Sequence, residues 1–395
     1  MGSSPSKESS KIAKTKVVII GGSYAGRAAV YLLDPSFDVT WIERRPGLIH
    51  KMMVRSMVRE DWIEPALVFS SDKLLRRGKL IRGNVTAIDA KAKEVEYESI
   101  EGKQKVDYDF LVIASGATSH CPIEPRFSDI KNCTKESITK FYQSVAATIS
   151  KHNNIMIVGG GPVGCEVAAE IKAKYPSKTV SIANKTSTLC SGMRMTQDGS
   201  NKIQKALEKH KIKVFLNASI SLSESERNQG LIEYDTPKNV AESIKEEVTL
   251  LINCTGSTPN TEFVSSDLKT PENLIKVNEY LQASESIFAI GDCNNVDEPK
   301  LFVTSGTRKF MFGLPVGQAD ILAKNLIAIV QGKNLTPYKP KSPTAKPQVL
   351  LPLGPKDAVA VNAPGFFAKM KAKDYFYPGQ WKFSGLQPPR RPPVL

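Results

Sequence analysis

At 395 residues the chain is long enough for two or three domains with separate cores, and 41% hydrophobic with 24% charged residues excludes a disordered or fibrous protein. No apolar run approaches the roughly 20 residues that span a bilayer, and the polar opening Met1-Gly-Ser-Ser-Pro-Ser-Lys-Glu-Ser-Ser10 lacks the apolar core of a secretory signal. The net charge of +14 sits at the ends: +3 over residues 1–16 and +9 over residues 331–395, leaving +2 on the body.

Residues 1–15, rich in Ser and Lys, read as a flexible arm. A buried strand over 16–20 then runs into a glycine-rich turn over 21–26 that opens a small-residue helix ending near Leu33. At a helix start, free backbone N–H groups and the helix dipole favour a pyrophosphate. Gly21, Gly22, Ser23, Tyr24, Ala25 and Gly26 are therefore candidate dinucleotide contacts. Gly21 makes the tight turn, Gly26 lets helix and strand approach, and Ser23 keeps a small side chain where the fingerprint has its middle glycine. The strand over 37–43 ends in Glu43, 22 residues after Gly21, a carboxylate placed to grip ribose hydroxyls.

Further along, a buried strand over 108–117 ends in the small residues Ser115 and Gly116, and a helical stretch follows around 134–150. The strand over 155–158 then opens a second glycine turn, Gly159-Gly160-Gly161-Pro162-Val163-Gly164, with Glu166 just inside the first turn of its helix. The strand over 179–183 ends in Asn184 and Lys185 rather than in an acid. Loss of a carboxylate and gain of a cation accommodate a 2′-phosphate, so NADPH, or both coenzymes, is expected there. A strand over 248–256 reaches Gly256 and a small-residue crossover, and a strand over 286–292 ends in Gly291-Asp292. Twelve of the 25 prolines lie beyond Leu335, which predicts loops and short strands.

The fold class is therefore α/β, with two Rossmann-like dinucleotide-binding domains and a small C-terminal α+β domain. The first takes residues 16–125 and 265–330, the second 126–264, and the basic, aromatic residues 331–395 form the third. The six cysteines, Cys121, Cys133, Cys165, Cys190, Cys254 and Cys293, make no CxxC pair and no zinc spacing, and the four histidines form no cluster. No structural metal is expected.

The ordered set of first turn, Ala114-Ser-Gly116, second turn, Cys254-Thr-Gly256 and Ile290-Gly-Asp292 resembles the two-dinucleotide flavoprotein reductases over residues 16–325. That resemblance implies FAD at the first turn, NADPH or NADH at the second, and Asp292 against the ribityl–phosphate part of FAD. Disulfide reductases of this fold carry a redox cysteine pair beside the flavin, and residues 44–80 contain no cysteine. Closer still, the chain resembles the apoptosis-inducing-factor-homologous group, ferroptosis-suppressor type. The blocks that carry this are Met1-Gly2 with Ser6, the run 159–171, Lys174-Tyr-Pro-Ser-Lys178, 290–295 with Pro299-Lys300, Tyr338-Lys-Pro340, and the tail 371–376 with Trp381-Lys382. It departs at Ser23 and over 302–314.

The group implies an NAD(P)H:quinone oxidoreductase in which a hydride passes to FAD and two electrons pass on to a quinone. It implies Glu166 near the nicotinamide, Arg55 and Val85 near FAD, and Lys371 and Phe376 by the flavin and the quinone pocket. Each also has a plainer reading: a dipole-favoured acid at a helix start, surface charge, core packing, a solvated cation and an aromatic core. Gly2 with Ser6 fits a myristoylation signal, and one acyl chain needs a second signal, which basic termini supply. The same opening also starts common purification leaders, but no histidine run follows. The implied setting is the cytoplasm, peripheral to a lipid droplet, plasma membrane or outer mitochondrial surface; no nucleic acid is expected, and a homodimer stays open. Two other readings compete: a reductase for a soluble acceptor such as ferredoxin or monodehydroascorbate, and a nucleic-acid-binding flavin sensor or death effector resting on terminal charge alone.

Overall fold

The computed structural model describes residues 7–49, 57–63, 67–69, 74–123, 125–127, 129–241, 244–298, 317–340, 349–363 and 365. Helix α1 (Lys7–Lys14) precedes β1 (Lys16–Ile20), α2 (Tyr24–Leu33), β2 (Asp38–Glu43), β3 (Lys79–Arg82), β4 (Phe110–Ile113) and β5 (Ala117–Ser119). Then come α3 (Lys135–Lys151), β6 (Asn154–Val158), α4 (Pro162–Lys174), β7 (Thr179–Asn184), α5 (Gln197–Lys209) and β8 (Ile212–Leu216). The chain continues through β9 (Leu231–Ala241), β10 (Ile244–Asn253), β11 (Ser257–Pro259), β12 (Ile287–Ala289), α6 (Gln318–Val330), β13 (Val349–Pro352) and β14 (Ala358–Val361).

Two five-stranded sheets result. The first is wholly parallel, in the order β12-β4-β1-β2-β3. Strand β1 is apolar on both sides, as a parallel strand covered on both faces must be. Val17 and Ile19 face the cluster under α2 and α6, while Val18 and Ile20 face Val95 and Tyr97 of an antiparallel three-stranded sheet over 84–107. The second sheet runs β8-β7-β6-β10-β9, parallel except for the β9–β10 hairpin. Here Ile155 and Ile157 pack towards α4 and α5, and Met156 and Val158 towards Ile232, Val248 and Leu251. Both α4 and α5 start on defined caps: Gly161 with Pro162 at the first helical position, and Thr196 accepting from the Gly199 N–H.

Three expectations change. Residues 7–14 form a helix where a flexible arm over 1–15 was expected, because Ile12 packs into the first core and the Lys11 ammonium donates to the Val330 carbonyl at the end of α6. The strand leading to Gly256 starts at Ile244 and pairs antiparallel with β9. Within 331–395, Tyr338 packs into the first core, whereas Val349, Leu351, Leu353 and Val361 of the β13–β14 hairpin pack into the second. The described part of this region therefore shares the two cores instead of building a third.

Candidate functional site

The two glycine turns are built alike. Gly21 (φ +102°) and Gly159 (φ +109°) take backbone conformations that disfavour a side chain, and a Cβ on them would meet the carbonyls of Ala114 and Cys254 at 2.3 and 2.6 Å. A Cβ on Gly26 or Gly164 would lie 1.9 or 2.0 Å from the carbonyl of Gly21 or Gly159, so helix α2 or α4 could not approach its strand. These four glycines are demanded by the protein itself. Gly161 is not: its φ is −72° and a Cβ there would meet no atom of the described residues within 4 Å. Space at a helix N-terminus that protein packing does not claim is what a dinucleotide needs. Ser23, in the same place in the first turn, is the N-cap residue of α2, and its hydroxyl does not cap the helix. Tyr24 and Pro162 take the first helical positions, followed by Ala25 and Val163.

Beneath each turn lies the last residue of the second strand. Glu43 is buried, accepts from the Arg45 N–H at 2.7 Å, and lies so near Gly22 that a Cβ there would meet its Oε2 at 2.6 Å. Asn184 takes the matching place under Gly160, whose N–H donates to its Oδ1 at 3.0 Å. Its amide donates to the Thr186 and Thr188 carbonyls at 2.8 and 3.1 Å, tying down the following loop. Lys185 stays exposed beside it. Asn184 thus shapes the loop, and Lys185 is left as an exposed cation at its start.

One contributor escaped the sequence reading. Arg27, only 1% exposed, lies under the first turn with its guanidinium 5.7 Å from the Trp41 ring centroid, while the Trp41 N–H donates to the Gly21 carbonyl at 2.9 Å. Burial pulls its pKa down to about 10, and nearby Glu43 opposes the shift. It remains a cation at neutral pH, aligned with the positive end of α2. The signal was an arginine in an otherwise apolar helix face directly after Gly26.

Where β4 and β10 leave their sheets, β5 and β11 pair as a short antiparallel ribbon, Ala117 opposite Pro259 and Ser119 opposite Ser257. Gly116 (φ +68°) accepts from the Asn260 N–H, and Gly256 (φ +108°) from the His120 N–H, each at 3.0 Å. The Ser115 hydroxyl donates to the Asn260 carbonyl at 2.6 Å, the Asn260 amide to the Ser115 carbonyl at 3.0 Å, and the Thr118 hydroxyl to Asn260 Oδ1 at 2.7 Å. Ser115 and Gly116 are therefore also parts of an inter-sheet clasp.

Glu166 is 6% exposed and is the fifth residue of α4, one place beyond the first turn, which carries no acid. The dipole explanation for this carboxylate weakens accordingly. Asp292 is exposed in the turn after β12, with Gly291 (φ +82°) beside it. Val85 is half-buried in the strand Asn84–Asp89 and packs against the core that holds Val18 and Ile20. Gly2, Arg55, Lys371 and Phe376 lie outside the described residues, as does the stretch 302–314.

Space brings together cysteines that spacing kept apart. The Cys165 Sγ donates to the Gly160 carbonyl at 3.7 Å, and the Cys190 N–H donates to the same oxygen at 2.8 Å. Hydrogen bonding to Cys190, with burial, holds the Cys165 thiol well above its ordinary pKa, and Cys254 is raised in the same way against Cys121. Thiols held protonated are poor nucleophiles.

Residues 15–308 match the pyridine nucleotide-disulphide oxidoreductase family. The chain belongs to this family. Similar proteins include apoptosis-inducing factor homolog B of Dictyostelium discoideum, 29% identical over 388 residues that cover 92% of this chain and 95% of that one. Ferroptosis suppressor protein 1 of Homo sapiens is 25% identical over 404 residues, 98% of this chain and 100% of its own. Among solved structures, the sulfide:quinone oxidoreductase of Aquifex aeolicus shares the fold with a TM-score of 0.67 at 17% identity, covering 94% of this chain and 92% of that one. The resemblance to the apoptosis-inducing-factor and ferroptosis-suppressor proteins thus extends over most of the chain, and the two sheets are Rossmann-like domains. The protein is an NAD(P)H-dependent flavin oxidoreductase with FAD and NAD(P)H as cofactors. The unclaimed space at Gly161 and the paired helix starts fit two such dinucleotides.

Proposed function

We propose that this flavoprotein reduces a quinone at a membrane surface at the expense of NADPH. The observation that carries the reading is the absence of a competent thiol relay. No cysteine lies over residues 44–80, and the thiols of buried Cys165 and half-buried Cys254 are held protonated against Cys190 and Cys121. A family member without that relay must hand electrons straight to an external acceptor. The full-length likeness to ferroptosis suppressor proteins supports a lipid-soluble one.

Bound FAD supplies the hydride-accepting and electron-donating chemistry. The chain positions the reactants. In this reading the first turn, with Ser23 at its helix start, Arg27 and Glu43, holds the FAD pyrophosphate and ribose, and Arg55, Val85 and Asp292 contribute along the same ligand. The second turn holds the coenzyme pyrophosphate, Lys185 takes the 2′-phosphate, and Glu166 lies by the nicotinamide. Reacting atoms must be kept about 3–3.5 Å apart for transfer. Lys371 stabilises the developing negative charge on the quinone oxygen, and Phe376 packs against the quinone. Among the described residues no helix is long and apolar enough to cross a membrane. An acylated Gly2 with the basic termini supplies the contact in this reading.

The test is NADPH oxidation by the purified protein with and without a short-chain ubiquinone analogue, read alongside the flavin absorbance. Bleaching by NADPH followed by quinone-driven recovery is expected. Bleaching without recovery would transfer the acceptor role to a soluble protein or small molecule, and an unreactive flavin would overturn the reading. Lys371→Met is expected to slow the quinone half-reaction and spare flavin reduction.

A further inference from the structure

A chain of buried polar side chains runs from the Gly291–Asp292 turn to the segment after α6. Gln318, fully buried at the first position of α6, accepts through Oε1 from the Gly291 N–H at 2.8 Å and from Asn294 Nδ2 at 2.9 Å. Asn294 Nδ2 also donates to the Ala289 carbonyl of β12 at 3.0 Å. The other end of Gln318 donates from Nε2 to Glu298 Oε1 at 2.8 Å, and the Tyr338 hydroxyl donates to both oxygens of Glu298 at 2.8 and 3.0 Å. Gln318, Asn294, Glu298 and Tyr338 are each more than nine-tenths buried.

The sequence of partners has a direction. Glu298 accepts only from the amide of Gln318 and the phenol of Tyr338 among these contacts. That orients the Gln318 side chain with its oxygen towards Gly291, because a flipped amide would set two oxygens against each other at one end and two donors at the other. Gly291 has φ +82° and can turn its N–H inward onto Gln318 while Asp292 faces outward. The start of α6 and the Asp292 turn are thereby locked to one another by a single side chain. Apolar packing could not do this, since it carries no preference for which way an N–H points.

We propose that Gln318 is a positioning residue for FAD, acting through Gly291 on the Asp292 carboxylate, and that Glu298 with Tyr338 holds it in the one productive orientation. The inference rests on the family's FAD and is independent of the acceptor. Replacing Gln318 leaves the Gly291 N–H and the Asn294 amide without their shared acceptor, and the turn relaxes to satisfy them elsewhere. The Asp292 carboxylate moves with it.

The experiment uses the full chain with bound FAD. Dissociation of FAD is followed by the fluorescence of released flavin, the flavin absorption band is recorded, and NADP+ binding is measured on the same preparations. Gln318→Leu is expected to raise the FAD dissociation constant about tenfold and alter the band shape, with NADP+ binding unchanged. Glu298→Leu is expected to match it. Glu298→Gln, which keeps an acceptor for Gln318 Nε2 and for the Tyr338 hydroxyl, is expected to hold FAD nearly as tightly as the unsubstituted protein. Unaltered FAD affinity and band shape in Gln318→Leu would overturn the proposal. So would equal loss of FAD and NADP+ binding, or a Glu298→Gln protein as weak as Glu298→Leu.

Discussion

The Asn184 side chain accepts the Gly160 N–H at 3.0 Å and directs its own N–H groups into the loop it precedes. A carboxylate could keep the first contact and would lose the others. Asn184→Asp is therefore expected to loosen residues 185–190 and place a negative charge at the site proposed above for the 2′-phosphate. The ratio of kcat/KM for NADPH to that for NADH should fall about tenfold or more, corresponding to at least one lost charge-assisted contact. Lys185→Glu, on an exposed side chain, should shift the same ratio without changing the melting temperature. Steady-state kinetics with both coenzymes checks each variant.

A second prediction separates glycines the fold needs from one proposed to serve the ligand. Gly164→Ala drives a methyl to 2.0 Å from the Gly159 carbonyl and should destabilise the protein by about 2 kcal/mol or more. Gly161→Ala meets no atom among the described residues and has an ordinary φ, so its thermal unfolding should match the unsubstituted protein. Its KM for the coenzyme should nonetheless rise several-fold. Equal stability losses in the two variants would refute the assignment of that space.

The ribbon gives a third. Asn260→Ala deletes the amide contact to the Ser115 carbonyl and the acceptor for the Thr118 hydroxyl, leaving the backbone pairing of β5 and β11 in place. A loss of about 1–3 kcal/mol is expected from chemical denaturation. Thr118→Val in the same background should cost less than it does alone, since the two residues share one contact.

Some of this was written locally in the chain and some was not. The turns over 21–26 and 159–164 were legible because Gly26 and Gly164 need room against the carbonyls of Gly21 and Gly159 five residues earlier, whereas the carbonyls of Ala114 and Cys254 that crowd Gly21 and Gly159 come from distant strands. Strand β1 was legible because an apolar run covered on both faces has few alternatives. That the second strand of each sheet ends at Glu43 or Asn184 was legible from spacing. The Asn260 clasp joins residues 145 apart and the Tyr338–Glu298 contact residues 40 apart, so no periodicity announces either. The pairing of Cys165 with Cys190 was hidden for the same reason: it depends on where the loop after β7 comes to rest. Helix α1 was missed because its polar composition resembles that of an arm, and only the end of α6 gives Ile12 and Lys11 something to hold.

Acid sensitivity is the fourth prediction. His120 is partly desolvated and lies near Arg126 and Arg227, which together hold its pKa below the ordinary 6.5. The unfolded chain then takes up this proton at a higher pH than the folded one, so stability rises with pH across that interval. The contribution is fully present above 6.5 and is lost as the pH falls from there through the lower folded value. Denaturation midpoints should drop between pH 7.5 and pH 5, and the drop should be smaller in His120→Gln.

The order of strands in the first sheet bears on how the protein is made. On a chain emerging from its N-terminus, the second sheet has all its strands once Asn253 has appeared. The first sheet still lacks β12 at that moment, and its covering helix α6 comes later still. The sheet encoded first is thus the last to gain all its strands, and β4 waits with an open edge while some 170 residues of chain are translated past it. A nascent chain with only the residues before Ile287 exposed should carry a second sheet with all its strands, still without the β13–β14 hairpin of its core, beside a first sheet that lacks β12.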